Sequence, residues 1–125
     1  MNIYQDEIMD HYRNPRNFGC KKMAHNTSSN KRNISCGDEL TIHAHIIDGV
    51  VSDICFEGVG CALSTASTSL LTSFVKGKGV DEVKQLSAND VLKLLNIQVS
   101  SARLKCALLP LEAVHDAIEN YRGEK

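Results

Sequence analysis

Apolar positions along the chain change period twice. Leu40, Ile42, Ala44 and Ile46 alternate with Thr41, His43 and His45, the spacing of a strand with one apolar face. Asp48-Gly49 is a hairpin turn pair. Beyond it Val50, Ser52, Ile54 and Phe56 alternate with Val51, Asp53, Cys55 and Glu57, which predicts a second strand with Cys55 on the face opposite Ile54 and Phe56. A hairpin of this kind is marginal alone, so helices must cover its apolar face. After Gly60-Cys61 the period becomes three to four. Leu63, Ala66, Leu70 and Phe74, widened by Leu71 and Val75, predict a helix that stops near Gly77. Ser64, Thr65, Ser67 and Thr68 read as a hydroxyl-rich surface on that helix. They are mediocre helix formers, so packing must hold the segment.

The flanks read less clearly. Asn2 to Tyr12 places Tyr4, Ile8 and Tyr12 at helical spacing, and Pro15 ends the helix. Residues 16–35 are polar and read as loop with room for one short strand. Residues 80–86 suit a short helix, and Ser87 with Asp90 three residues on caps a further one carrying Val91, Leu92, Leu94 and Leu95. Leu104, Ala107, Leu108, Leu111, Val114, Ile118 and Tyr121 are again helical in period. Proline is excluded from helix interiors, so the last helix is expected to begin near Pro110, with a turn before it that carries Cys106. The pattern predicts one α+β domain over residues 1–125, a small antiparallel sheet covered by helices on one side.

Composition narrows the function. A chain of 125 residues, 42% apolar and 23% charged, is globular and can bury a core without disulfides. A net charge of −1 lacks the basic footprint of a nucleic-acid partner. No run of apolar residues is long enough to span a membrane. The mixed, acidic opening MNIYQDEIMDHY does not read as a signal peptide, so a cytoplasmic, reducing environment is expected. There the five cysteines, an odd number, point away from disulfide staples and towards metal or sulfur chemistry.

The cysteines fall in different settings. Cys36 and Asp38 flank Gly37, so a thiolate and a carboxylate can turn onto one ion. Cys61 lies at a strand-to-helix corner after Gly58 and Gly60, where the free N–H groups of a helix start favour negative charge. Three thiols and one carboxylate make a tetrahedral set that zinc accepts, and iron–sulfur clusters also favour thiolates. The intervals of 25 and 45 residues between Cys36, Cys61 and Cys106 match no general metal motif, and a buried cysteine is commonly a small core hydrophobe. Cys55 reads as a core or half-buried strand residue and Cys20 as an exposed loop thiol without function; neither is expected to be needed for metal binding. His43 and His45 read as solvated surface, and nothing sets a histidine beside a cysteine, which argues against a Cys/His hydrolase.

Three segments resemble the motifs of the IscU/SufU/NifU-N-terminal-domain iron–sulfur scaffold family, in the expected order. They are Cys36-Gly37-Asp38, Phe56-Glu57-Gly58-Val59-Gly60-Cys61-Ala62-Leu63-Ser64 and Ala102-Arg103-Leu104-Lys105-Cys106-Ala107, and residues 8–19 resemble the family's opening motif. The resemblance implies ligands Cys36, Asp38, Cys61 and Cys106 for zinc, a transient [2Fe–2S] cluster, or both. It implies a sulfur-accepting role for Cys36, with a cysteine desulfurase upstream and an iron–sulfur carrier or apo-protein acceptors downstream. IscU-type members carry histidine directly before the last cysteine. Lys105 stands there and Arg103 three residues before that cysteine, as in the SufU-type branch. The interval from Cys61 to Cys106 is too short for the whole insertion usual in that branch, so the chain resembles a SufU-type member of reduced length. Ile97-Gln98-Val99-Ser100-Ser101 stands where IscU-type members carry a Leu-Pro-Pro-Val-Lys chaperone signal. Arg103 and Lys105 are charges able to stabilise a thiolate or steer a partner. The alternative is a zinc-binding structural or interaction domain without sulfur transfer.

Overall fold

Three antiparallel strands in chain order frame the computed structural model, which describes residues 3–21, 23–34 and 37–121, the side chains of residues 3–5 aside. They are β1 (Thr27–Asn33), β2 (Asp38–Ile47) and β3 (Val50–Val59). Helix α1 (Ile3–Arg13) precedes them, and α2 (Ala62–Val75), α3 (Val80–Lys84), α4 (Ala88–Leu95) and α5 (Leu104–Asn120) follow. This is the expected small antiparallel sheet with helices against it. No helix of the described residues is long and apolar enough to cross a membrane.

The β2–β3 hairpin turns at Asp48-Gly49, whose φ values of 52° and 75° are those of a type I′ turn. Ile42, Ala44 and Ile46 face the core as expected. The register of β3 departs from strict alternation. His45 pairs with Asp53 but Ile46 pairs with Val51, so Ser52 is an extra residue at a bulge. The bulge turns Val51 into the core and leaves Val50 exposed, which corrects the expected inward Val50 and Ser52. Towards the other end, Gly58 (φ 143°) lies opposite Leu40, and a Cβ there would sit 2.1 Å from the Glu39 carbonyl oxygen.

β1 is longer than its composition suggested. Its inward residues are polar, Thr27 and Ser29, and their hydroxyls donate to the carbonyls of Ala117 and Ala113 on α5. A strand whose buried face bonds helix backbone carries no apolar alternation, which is why its periodicity is silent.

α2 lies at the centre, packed by α1, α4, α5 and the sheet. Of the hydroxyl residues expected on its surface, Ser64, Ser67 and Thr68 are buried and Thr65 is half-buried, and Ser69 and Thr72 are buried as well. Thr68 and Thr72 donate back to Ser64 and Thr68 carbonyls, and Ser67 donates across to the Ala107 carbonyl of α5. Internal bonding of this kind removes the cost of burying a hydroxyl. Phe74, expected on the apolar stripe, is partly exposed instead.

The start of α5 is a second correction. The helix begins at Leu104, with Pro110 inside it and fully buried. Pro110 has no N–H to donate to the Cys106 carbonyl one turn back. The local cost is met by packing, since α5 lies against β1, β2 and α2 at once. Cys106 consequently sits in the first turn of α5 and not in a preceding turn.

Candidate metal centre

Asp38, Cys61 and Cys106 come from three elements, and one donor atom from each lies within 4.8 Å of the others. Asp38 is the first residue of β2 and is 4% exposed. Its Oδ1 accepts the Cys61 backbone N–H at 3.2 Å, and its Oδ2 is 4.0 Å from the Cys61 sulfur. Cys61 is the N-cap of α2, with its sulfur accepting the Ser64 N–H at 3.4 Å in the position a serine or aspartate oxygen usually fills. Gly60 permits this approach: a Cβ there would meet the Ser64 hydroxyl at 2.9 Å and Asp38 Oδ1 at 3.6 Å. Cys106 reaches the cluster from the first turn of α5 and is buried. Cys36 lies outside the described residues. Two sulfurs and one carboxylate fit a borderline-soft ion such as zinc or ferrous iron and do not fit the all-oxygen preference of calcium or magnesium.

The surroundings are partly apolar. Val59 and Ile34, near the ends of β3 and β1, are 74% and 93% exposed. Arg103 and Lys105 are both exposed but open onto different grooves. Arg103 lines one of about 370 Å³ with Ile97 and Val99, next to Ala62 and Leu63 of α2. Lys105 lines one of about 410 Å³ with Lys31, Arg32 and Glu112.

A second donor cluster occupies the outer face of the sheet. Cys20 and Cys55 are joined in a disulfide, which corrects both the expected absence of disulfides and the reading of Cys20 as an unengaged loop thiol. The cause is tertiary. Gly19 N–H donates to the Phe56 carbonyl and Phe56 N–H donates to the Asn17 carbonyl, so residues 17–19 run along the free edge of β3. Cys20 is thereby carried over the face that Cys55 occupies. His43 stands directly opposite Cys55 in the β2–β3 ladder. Donor atoms of Cys20, His43 and Glu57 lie within 4.8 Å of one another. Burial holds the His43 imidazole below its ordinary pKa, with His25 acting the same way and Glu57 against it. A histidine does therefore stand beside a cysteine here, contrary to expectation, although the sulfur is bonded.

Comparison with known proteins decides the family. The NifU-like N terminal domain matches residues 3–125. The chain belongs to this family. Among curated NifU-like relatives, the iron–sulfur cluster assembly scaffold protein IscU of Buchnera aphidicola from Acyrthosiphon pisum is 30% identical, over 98% of this chain and 97% of that protein. The iron–sulfur cluster assembly protein IscU of Plasmodium falciparum is 33% identical, over 95% of this chain and 74% of that one. The crystal structure of a nitrogen-fixing NifU-like protein (N-terminal) from Brucella abortus superposes with a TM-score of 0.79 at 25% identity, covering 98% of this chain and 96% of that one. These matches speak for the NifU-like family as a whole and do not single out its SufU-type branch.

Proposed function

We propose that this chain is an iron–sulfur cluster assembly scaffold that holds a nascent [2Fe–2S] cluster at Asp38, Cys61, Cys106 and Cys36, and that it accepts sulfur from a cysteine desulfurase. The observation that carries the reading is the convergence of Asp38, Cys61 and Cys106 from three separate elements at one end of the sheet. The names of the NifU-like relatives support the same role. Zinc bound to the same residues would hold thiolates in place until a partner docks.

The sulfur step is a thiol–persulfide exchange. The Cys36 thiolate attacks the terminal sulfur of the desulfurase persulfide, the sulfur–sulfur bond of that persulfide breaks, and the desulfurase cysteine leaves as a thiolate. Cys36 carries the new persulfide. The choice of Cys36 rests on the family resemblance and on its place beside Gly37 in the sequence. Cys61 and Cys106 sit on helix starts and suit anchoring better. Asp38 is a harder donor than a thiolate and is the position from which a cargo is most readily released. Exposed Ile34 and Val59 near this end of the sheet offer apolar area to a docking partner, with Lys105 and Arg103 as charges on either side. We place the chain nearest the SufU-type branch because Lys105 fills the position of the IscU-type histidine.

The test is alanine production from cysteine by a cognate desulfurase at fixed reductant, with and without this protein, together with iron and acid-labile sulfide analysis of anaerobically reconstituted protein. Stimulation that disappears in Cys36→Ala supports the acceptor role; equal rates with both proteins reject it. A [2Fe–2S] cluster that still assembles would leave the scaffold role standing alone. Tightly held zinc with neither stimulation nor cluster would mark a structural zinc domain instead.

A further inference from the structure

The outer-face cluster is built in the way metal sites are built, and the scaffold role makes no use of it. Cys55 and Glu57 project from the same face of β3, and His43 opposes Cys55 across the ladder. His43 Nε2 is 3.9 Å from Glu57 Oε2. The other ring nitrogen is already engaged: Nδ1 pairs with the Ser28 hydroxyl of β1 at 2.6 Å. Metal-binding histidines are characteristically held in this manner, by a hydrogen bond at the nitrogen that does not face the ion. His25 packs over the His43 ring with centroids 4.4 Å apart, which further restrains it. The edge pairing of residues 17–19 with β3 places Cys20 above these groups. The donor atoms of Cys20, His43 and Glu57 already lie close together, and the Cys55 sulfur, bonded to that of Cys20, would supply a fourth donor once reduced, a set suited to tetrahedral zinc.

We propose that Cys20, Cys55, His43 and Glu57 form a second metal site, for a zinc-class divalent ion, that exists only while the Cys20–Cys55 disulfide is reduced. It departs from the expectation that neither thiol binds metal. It is separate from the assembly centre: Asp38 and His43 lie five residues apart on β2, roughly 17 Å at strand rise, on opposite faces. A thiol bonded to sulfur is no ligand, so oxidation and metal occupancy exclude each other. The balance is simple. A small-molecule disulfide accepts two electrons from the two metal-bound thiolates; the Cys20–Cys55 bond forms, the small disulfide cleaves to two thiols by taking up two protons, and the ion is released. In the reverse sense a trialkylphosphine and water reduce the protein disulfide, giving phosphine oxide and two thiols, which lose their protons on binding the ion.

The test uses the full chain with Cys36, Cys61 and Cys106 all changed to serine, in which the assembly centre keeps no thiolate and a sulfur-to-metal band reads the second site alone. The protein is divided into an air-oxidised and a phosphine-reduced, desalted portion, and each is loaded anaerobically with cobalt(II) and with zinc. We expect about one more ion per chain in the reduced portion, with a sulfur-to-cobalt charge-transfer band of a tetrahedral thiolate site. Glutathione disulfide should release it. His43→Gln, which leaves both cysteines in place, should abolish the band, and Ser28→Ala should weaken binding about tenfold. Equal metal content in the two redox states would overturn the proposal, as would a band that survives in His43→Gln. If Cys20→Ser folds, it must also lose the ion; the His43 variant decides the matter if it does not. The assembly-centre reading is scored separately, on wild-type protein by cluster content, so either can fail without the other.

Discussion

The assembly centre draws one donor from the start of a strand, one from a helix cap and one from the first turn of another helix. The outer-face cluster draws three of its four donors from a single hairpin and the fourth from the segment clamped to its edge. The first set converges only when β2, α2 and α5 are packed together, so an ion there is linked to the tertiary fold as a whole. The second depends on the hairpin register, and the chain has a metal-free way to close it, the disulfide. One site is suited to cargo that comes and goes with partners, the other to a choice between two covalent states.

The sharpest way to separate them is to remove one sulfur from each. Cys61→Ser should eliminate cluster assembly, because it takes away a thiolate ligand while the serine hydroxyl still caps α2; the loss should exceed the ten- to hundredfold typical of disturbing only a group that supports a ligand. Cys55→Ser should leave cluster content per chain unchanged. Iron and acid-labile sulfide measured on folded protein decide this, and loss of cluster in the Cys55 variant would mean the two faces are not independent.

The next effect is on stability. Cys20 and Cys55 are 35 residues apart, and closing a loop of that size lowers denatured-state entropy by an amount worth at most roughly 4 kcal/mol. Chemical denaturation of wild type should therefore show a higher midpoint under oxidising conditions than after reduction, and Cys20→Ser should remove the difference. A smaller change, about 1 kcal/mol, is expected for Ser87→Ala. Ser87 and Asp90 cap α4 reciprocally, with the Asp90 carboxylate accepting the Ser87 N–H at 2.8 Å. Because neither metal cluster includes residues of α4, this variant should lower the midpoint in both redox states equally and leave metal content alone.

The contrast also explains what could be read before the fold was known. The hairpin, the capping box at Ser87 and the ends of α1 and α2 follow from local signals: alternation, a turn pair, a cap, a proline. That Asp38, Cys61 and Cys106 lie close together was expected from the three segments that resemble family motifs, whereas their spacing alone matches no general metal motif. The Cys20–Cys55 pair was not, since residues 17–19 reach β3 through backbone hydrogen bonds that leave no mark on side-chain type. The only available signal was that Cys55 and His43 share the face opposite the core and fall across from each other once the turn fixes the register. The buried serines of α2 and the internal Pro110 misled for a related reason. Polarity and helix propensity are weak priors that packing on several sides overrides.

The smallest expected effect distinguishes the sides by protons. On the core side, α1 is tied to α2 through His11, whose Nδ1 lies 2.7 Å from the Ser69 hydroxyl. That hydroxyl already accepts the Arg16 backbone N–H at 2.8 Å, so its own proton is free to point at Nδ1. The arrangement needs a neutral imidazole, because a protonated ring would turn Nδ1 into a second donor facing the serine. Burial lowers the folded pKa of His11 beneath its ordinary value of 6.5, and the charge of Arg16 acts in the same direction. As pH falls through 6.5, the unfolded chain takes up this proton before the folded one does. Above that range both states are neutral at His11 and the group adds no pH dependence; below it stability declines until the folded pKa is passed. His11→Asn keeps an acceptor near Ser69 and removes the titration. Denaturation midpoints from pH 7.5 to 5 should therefore fall less steeply in His11→Asn than in wild type, with the difference below that of one full proton. Parallel curves for the two proteins would show that the α1–α2 contact does not sense the charge of His11.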